Sequence, residues 1–348
     1  MKLLPFLALA ALLSAAPLAP AQDSTLRESV DALTDADLKD MLRLLRENFI
    51  KPDALSDTEL SRATIQGVIE RLAPGASLRP AAGAGEVSPF KSEIIDANTG
   101  YLRVGSLNAE NLAALDAALQ DFSAKKIGAA ILDLRATPAG SEFAQGAEVC
   151  QRFCPKGKVL FSVRKSNVRD EQILTSKEDP KFKGLLVVLV DADTAGAAEI
   201  VAAVLRTHAR AMVIGQRTRG EAVEFSELPL PSGKLLRVAV AEASLADSAP
   251  VFPGGVKPDV EVDVSQETTA NVLKQGLESG VVALVEETER KKMNEAALVA
   301  KQNPELDAMQ AAQARKGERP KAPLRDKVLQ RALDFITTIS LYEKKPAK

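Results

Sequence analysis

The sequence predicts an α/β fold, a mostly parallel twisted sheet with covering helices, carrying helical N- and C-terminal extensions. Three observations predict it. Short apolar runs at 129–134, 185–190 and 211–214 alternate with helical patterns between residues 98 and 265, the arrangement of successive β-α-β units. The run at 185–190 is almost unbroken by polar residues, which suits a strand buried on both faces. Outside that region the apolar residues recur at helical spacing.

Taken in order, residues 1–21 read as a secretory signal peptide. Lys2 is a short basic start, an apolar run too short to span a bilayer follows, and Ala19-Pro20-Ala21 is a small-residue cleavage site. Export to a periplasmic or extracellular space is therefore expected, with no membrane span after cleavage. Residues 22–75 read as an N-terminal helical region. Thr34 to Asp37 and Ser56 to Glu59 have capping-box spacing, and Lys51-Pro52 separates two helices because proline disfavours a helical residue before it. Leu38, Met41, Leu42 and Leu45 mark one apolar face. Residues 76–97, rich in Pro, Gly and Ala with no periodicity, read as a linker.

The core is expected at 98–265. A strand near 101–104 ends at Gly105, and Asn108 caps a helix through about Phe122. After the strand at 129–134, a Pro/Gly turn leads to a helix ending near Cys154. Further strands are expected at 158–163, 185–190, 211–214, 223–228, 235–241 and 260–263, with a helix from a small-residue turn to Thr207. Residues 266–348 read as a C-terminal helical region broken by prolines and charges at 301–323, with Leu329, Leu333 and Ile336 marking a final amphipathic helix.

Composition limits the function. A net charge of −2 argues against nucleic acid as a partner, since phosphate binding needs a basic surface. With no Trp and 4% aromatic residues, stacking platforms for bases or sugars are not expected. No cofactor and no metal site is expected. Cys150 and Cys154, the only cysteines, sit one turn apart on a helix; they read as two buried apolar side chains, with a disulfide as the alternative in an oxidising compartment. His208, the only histidine, stands near a helix end, where a cation interacts favourably with the helix dipole.

Five segments occur in order: Gly100-Tyr101-Leu102-Arg103, the run 131–140 with Asp133-Leu134-Arg135 and Pro138-Ala139-Gly140, the run 187–200 ending in Glu199-Ile200, Val213-Ile214-Gly215 through Gly220-Glu221, and Gly255 through Pro258-Asp259-Val260. Together they resemble the C-terminal processing (tail-specific) serine peptidases, family S41, over 36–75 and 98–265, with a weaker echo from Asp326 to Leu333. The resemblance implies a ClpP/crotonase-like core. It also implies peptides or unfolded protein segments as partners.

Two departures from the family stand out. Members usually carry a PDZ module where this chain has only 76–97. Members also cleave peptides with a serine nucleophile and a neutral lysine base, groups that must converge beside backbone oxyanion donors. On the family pattern the nucleophile position is Gly196 and the lysine position is Glu221. The position of an acidic residue on the nucleophile's helix in some members is Thr207, and the oxyanion turn is Ala139-Gly140. No intact catalytic set is therefore expected, with Thr194 the one substitute nucleophile nearby and Arg219 a permanently charged neighbour that cannot serve as a base. The resulting reading is an exported, catalytically inactive pseudopeptidase that binds peptides or a protein partner, an active paralogue or itself included. An active serine-type endopeptidase and a structural, oligomerising envelope protein are the alternatives.

Overall fold

The computed structural model describes residues 22–80, 87–165, 171–245, 250–285 and 324–343. The expected signal peptide and the break at 301–323 lie outside these residues. The chain divides into two compact units between residues 69 and 70.

The N-terminal unit holds α1 (Gln22–Asp31), α2 (Asp35–Asn48) and most of α3 (Asp57–Leu72). Thr34 caps α2 in the expected reciprocal fashion: its hydroxyl accepts from Asp37 N–H, and the Asp37 carboxylate accepts from Thr34 N–H. A single 3₁₀ turn at Pro52–Leu55 makes the expected break.

The second unit is built on two sheets. The six-stranded sheet has the order β11-β8-β7-β4-β3-β2, formed by β2 (Lys91–Ile94), β3 (Thr99–Arg103), β4 (Ala129–Asp133), β7 (Leu185–Val190), β8 (Met212–Gly215) and β11 (Val260–Glu261). All its pairings are parallel except β2 with β3. Side chains alternate across it, as strand geometry requires. Ala130, Leu132, Leu186, Val188 and Val190 enter one core with α4 (Ala109–Ala124), α5 (Phe143–Gln151) and α6 (Ala197–His208). Ile131, Val187, Leu189 and Ile214 enter a second core with Val328, Leu329, Ala332 and Ile336 of α8 (Lys327–Glu343). The helix α7 (Gln266–Ser279) precedes it in the chain. Helices on both faces explain why β7 could be apolar throughout.

The other sheet is antiparallel. In it β1 (Ala76–Pro80), β10 (Lys234–Ser244), β5 (Val159–Lys165) and β6 (Glu171–Thr175) lie in that order, and β9 (Val223–Pro229) also pairs with β10. The strands expected at 158–163, 223–228 and 235–241 thus belong to a layer of their own, apart from the parallel sheet. The stretch 76–97, expected as a linker, carries β1 at one end and β2 near the other. Both strands are short and polar on one side, and β1 ends at a proline, so neither shows an apolar alternation long enough to read.

A buried polar network ties α8 to the parallel sheet. Arg135 donates to both oxygens of Asp133, at 3.0 and 2.7 Å, and to both oxygens of Asp326, at 3.0 and 2.7 Å. Asp326 also accepts from Val328 and Leu329 N–H, capping α8. Tyr101 donates to Asp133 at 2.7 Å, and Arg103 donates to the Tyr101 hydroxyl and to Leu273 O. Burial alone would push the Asp133 carboxyl up. Arg135, Arg103 and the Tyr101 hydrogen bond outweigh it and hold the group below its ordinary value. Three of the sequence segments, at 100–103, 133–135 and from 326, therefore meet in one cluster.

Candidate functional site

The parallel strands end on one side in turns that converge. The turn after β4 carries Ala139 and Gly140, the turn after β7 ends in Gly196 at the start of α6, and the segment after β8 carries Glu221. All four residues line one cavity of about 160 Å³, together with Ser141, Val223, Phe225, Glu227 and Arg237. Ligand sites of open α/β sheets lie at the carboxyl ends of their strands, and this cavity has that position.

Glu199 organises the turns. Its fully buried carboxylate accepts from Gly196 N–H at 3.0 Å, Gly220 N–H at 2.6 Å, Glu221 N–H at 2.7 Å and the Thr218 hydroxyl. Burial is the largest influence on this carboxyl and lifts it above its ordinary value, against the pull of those four donors. Thr218 in turn accepts from Val256 N–H at 2.7 Å, which links the Gly220-Glu221 turn to the Gly255 segment.

Gly196 holds φ 64° and ψ −129°, a backbone region that side-chain-bearing residues rarely adopt. The Gly140 backbone lies directly against it. A Cβ built on Gly196 would meet the Gly140 carbonyl oxygen at 2.1 Å, and the same oxygen accepts from Ala197 N–H at 2.8 Å. Gly140 and Gly196 also form an isolated parallel bridge. The space a side chain at 196 would need is filled by main chain, and the N–H that follows it is already bonded. A backbone N–H next to a nucleophile is a usual oxyanion donor.

Glu221 is 7% exposed and pairs with Arg237 of β10 at 3.1 Å. The Arg237 guanidinium also stacks on the Phe225 ring, 3.3 Å from its centroid. Burial lowers the Arg237 pKa, partly restored by Glu221. Arg237 was invisible in the sequence as a site residue. It sits on the other sheet, sixteen residues beyond Glu221, in no motif; only the register of β10 against β9 brings it in.

The remaining candidates stand elsewhere. Thr207 lies eleven residues after Gly196, about 16 Å along α6 at 1.5 Å per residue, and its hydroxyl donates to Ala203 O at 2.9 Å. Thr194 is fully buried, with its hydroxyl donating to Asp191 at 2.9 Å and accepting from Asp191 N–H. Arg219 pairs with Asp193 at 2.7 Å and does not line the cavity. Cys150 and Cys154 are free and buried, and burial pushes the Cys154 thiol up to about 12. His208 stands at the C-terminal end of α6, where a charged role was expected, and its surroundings weigh against that charge. Partial burial, then the nearby Lys158, lower its pKa and favour the neutral ring. Among the described residues there is no group of three or more His, Cys, Asp or Glu able to hold a metal, and no helix long and apolar enough to cross a membrane.

Comparison with known proteins finds similarity over the residues that carry this geometry. Residues 98–262 match the model of peptidase family S41. The chain is 29% identical over 178 residues to the carboxy-terminal processing protease CtpA of Bacillus subtilis, covering 51% of this chain and 38% of that protein. It is 30% identical over 176 residues to the carboxy-terminal-processing protease of Bartonella bacilliformis, covering 49% and 40% respectively. The chain thus spans about two-fifths of the length of these curated relatives. A solved structure of a candidate peptidase from Parabacteroides merdae superposes with a TM-score of 0.51 at 17% identity, over 69% of this chain and 85% of that one, a likeness of fold alone.

Proposed function

We propose that this chain is a catalytically inactive member of the S41 peptidases, a pseudopeptidase that binds peptide segments or a partner protein without cutting them. The observation that carries the reading is the contact between Gly140 and Gly196. On the family pattern Gly196 stands where the nucleophilic serine would be, and a side chain there would strike the Gly140 carbonyl oxygen at 2.1 Å. Two further features support it. Glu221 stands at the lysine position and is engaged by Arg237, so the pocket offers no neutral amine to accept a proton. The Ala197 N–H is bonded to Gly140 O and is not free to hold an oxyanion.

The binding half of the reading rests on the S41-type core and on the cavity that remains between the turn at 139–141 and strands β9 and β10. We propose that residues 76–97, with β1 and β2, occupy the place of the PDZ module. We also propose that residues 1–21 are removed on export to a periplasmic or extracellular space. Binding is tested by titrating labelled unstructured peptides, such as fragments of reduced casein, into the purified protein and into the Phe225→Ala variant. Saturable binding weakened in the variant is expected. No binding to the wild type, or binding unchanged in the variant, contradicts a peptide site at this cavity. Turnover of the peptides would instead favour the active-endopeptidase alternative.

A further inference from the structure

A second concavity lies at the opposite end of the parallel strands, away from the Gly196 cavity. It consists of two adjoining hollows of about 580 and 860 Å³ that share Lys183, Gly184, Leu186, Ala209 and Arg210, so they form one continuous trough. Its walls are the amino-terminal ends of β4 and β7, the carboxyl end of α6, and Ile339 and Ser340 of α8. Ligand sites of this sheet type sit at the other ends of the strands, so the trough is no extension of the peptidase-type site.

Its charge is one-sided in a chain of net charge −2. Lys158, Lys183 and Arg210 line it, and among the described residues no Asp or Glu does. None of these three cations has an ion pair among the described residues, whereas neighbouring Lys181 is neutralised by Asp116 at 2.8 Å. They come from three separate segments, before β5, before β7 and after α6, so complementing the dipole of one helix does not account for them. Arg210 is held at φ 53°, in the left-handed region, and lines both hollows. His208 lines the first hollow, and its burial together with the charge of Lys158 favours the neutral ring. Between the cations lie Pro155 and Pro180 and the edges of Phe153 and Phe182, whose rings pack edge to face at 6.3 Å.

We infer that this trough docks an acidic, extended polypeptide segment of a partner protein, one with apolar side chains between its carboxylates. A continuous trough suits a chain better than a single small anion. Unpaired cations around a partly apolar floor give electrostatic selection and some apolar burial together.

The test is fluorescence anisotropy of the full chain with a labelled peptide of alternating Glu and Leu, beside its Gln-for-Glu counterpart. The Lys183→Glu/Arg210→Glu variant is measured in parallel; both side chains are exposed, so the fold should hold, and an unchanged melting curve checks it. The wild type should bind the acidic peptide at least about tenfold more tightly than the variant does. Raising salt from about 0.05 to 0.5 M should weaken that binding, since screening shortens the reach of exposed charges. Equal affinity for the Gln peptide, or binding within about twofold in the variant, overturns the inference. So does absence of peptide binding with co-sedimentation on phosphatidylglycerol vesicles, which would assign the trough to a membrane surface. The Phe225→Ala experiment reads the other end of the sheet, so the two proposals can fail separately.

Discussion

Replacing Gly196 by alanine should destabilise the fold far more than the same change at a comparable exposed glycine. Two costs add. A residue with a Cβ at φ 64°, ψ −129° occupies a region worth about 1–3 kcal/mol of backbone strain. The Cβ would also stand 2.1 Å from the Gly140 oxygen, a distance no real contact sustains, so the 139–141 turn must retreat. Its retreat breaks the 2.8 Å bond from Ala197 N–H to Gly140 O, worth about 1 kcal/mol. The sum is about 2–4 kcal/mol, which for a unit of this size lowers Tm by roughly 3–7 °C. Gly157 provides the control. It holds φ 80° but a Cβ there meets nothing within 4 Å, so Gly157→Ala carries the backbone cost alone. Urea unfolding followed by far-UV circular dichroism measures both. Equal losses for Gly196→Ala and Gly157→Ala would refute the claim that main chain fills the side-chain space at 196.

Three further outcomes follow from the same geometry. Gly196→Ser combined with Glu221→Lys should fail to create casein hydrolysis, because the serine meets the Gly140 oxygen and the new lysine faces Arg237 in a buried place; a standard protease assay decides. Asp326→Ala should cost about 3–5 kcal/mol, the price of breaking a buried ion pair, and should expose α8 to limited proteolysis before the rest of the unit. Stability should also fall in acid. The Asp133 carboxyl is held below its ordinary value of 3.8, so its contribution is complete above that pH and is lost as pH falls through the lower folded value; urea unfolding at about pH 6 and pH 3 should show the loss, and Asp133→Asn should reduce its pH dependence.

The parallel sheet was legible because its strands carry their signal locally. The run at 185–190 is buried on both faces and reads as apolar without reference to anything else. The capping residues Thr34 and Asn108 were legible for the same reason, since each bonds a donor three residues on. The strands β1, β2 and β6 were not read. Each is four or five residues long and partly exposed, so burial imposed little pattern on the sequence. The antiparallel layer was missed as a separate sheet because pairing of β10 with β1, β5 and β9 is a long-range property. In the site, motif spacing was enough to bring Ala139, Gly140, Gly196 and Glu221 together. It placed Thr207 on the right helix but at its far end, and it could not reveal Arg237, whose partner Glu221 lies in the segment that joins the two sheets. Nor could it reveal that Gly140 closes on Gly196, which depends on the backbone path of two turns.

The most direct measurement of the central claim is peptide-bond hydrolysis by the purified wild-type chain. Denatured casein and a set of unstructured peptides are incubated with independent preparations and analysed by mass spectrometry for new termini. The account predicts no cleavage above that of a mock preparation. Cleavage that scales with protein concentration in every preparation, and persists in Thr194→Val, would contradict it.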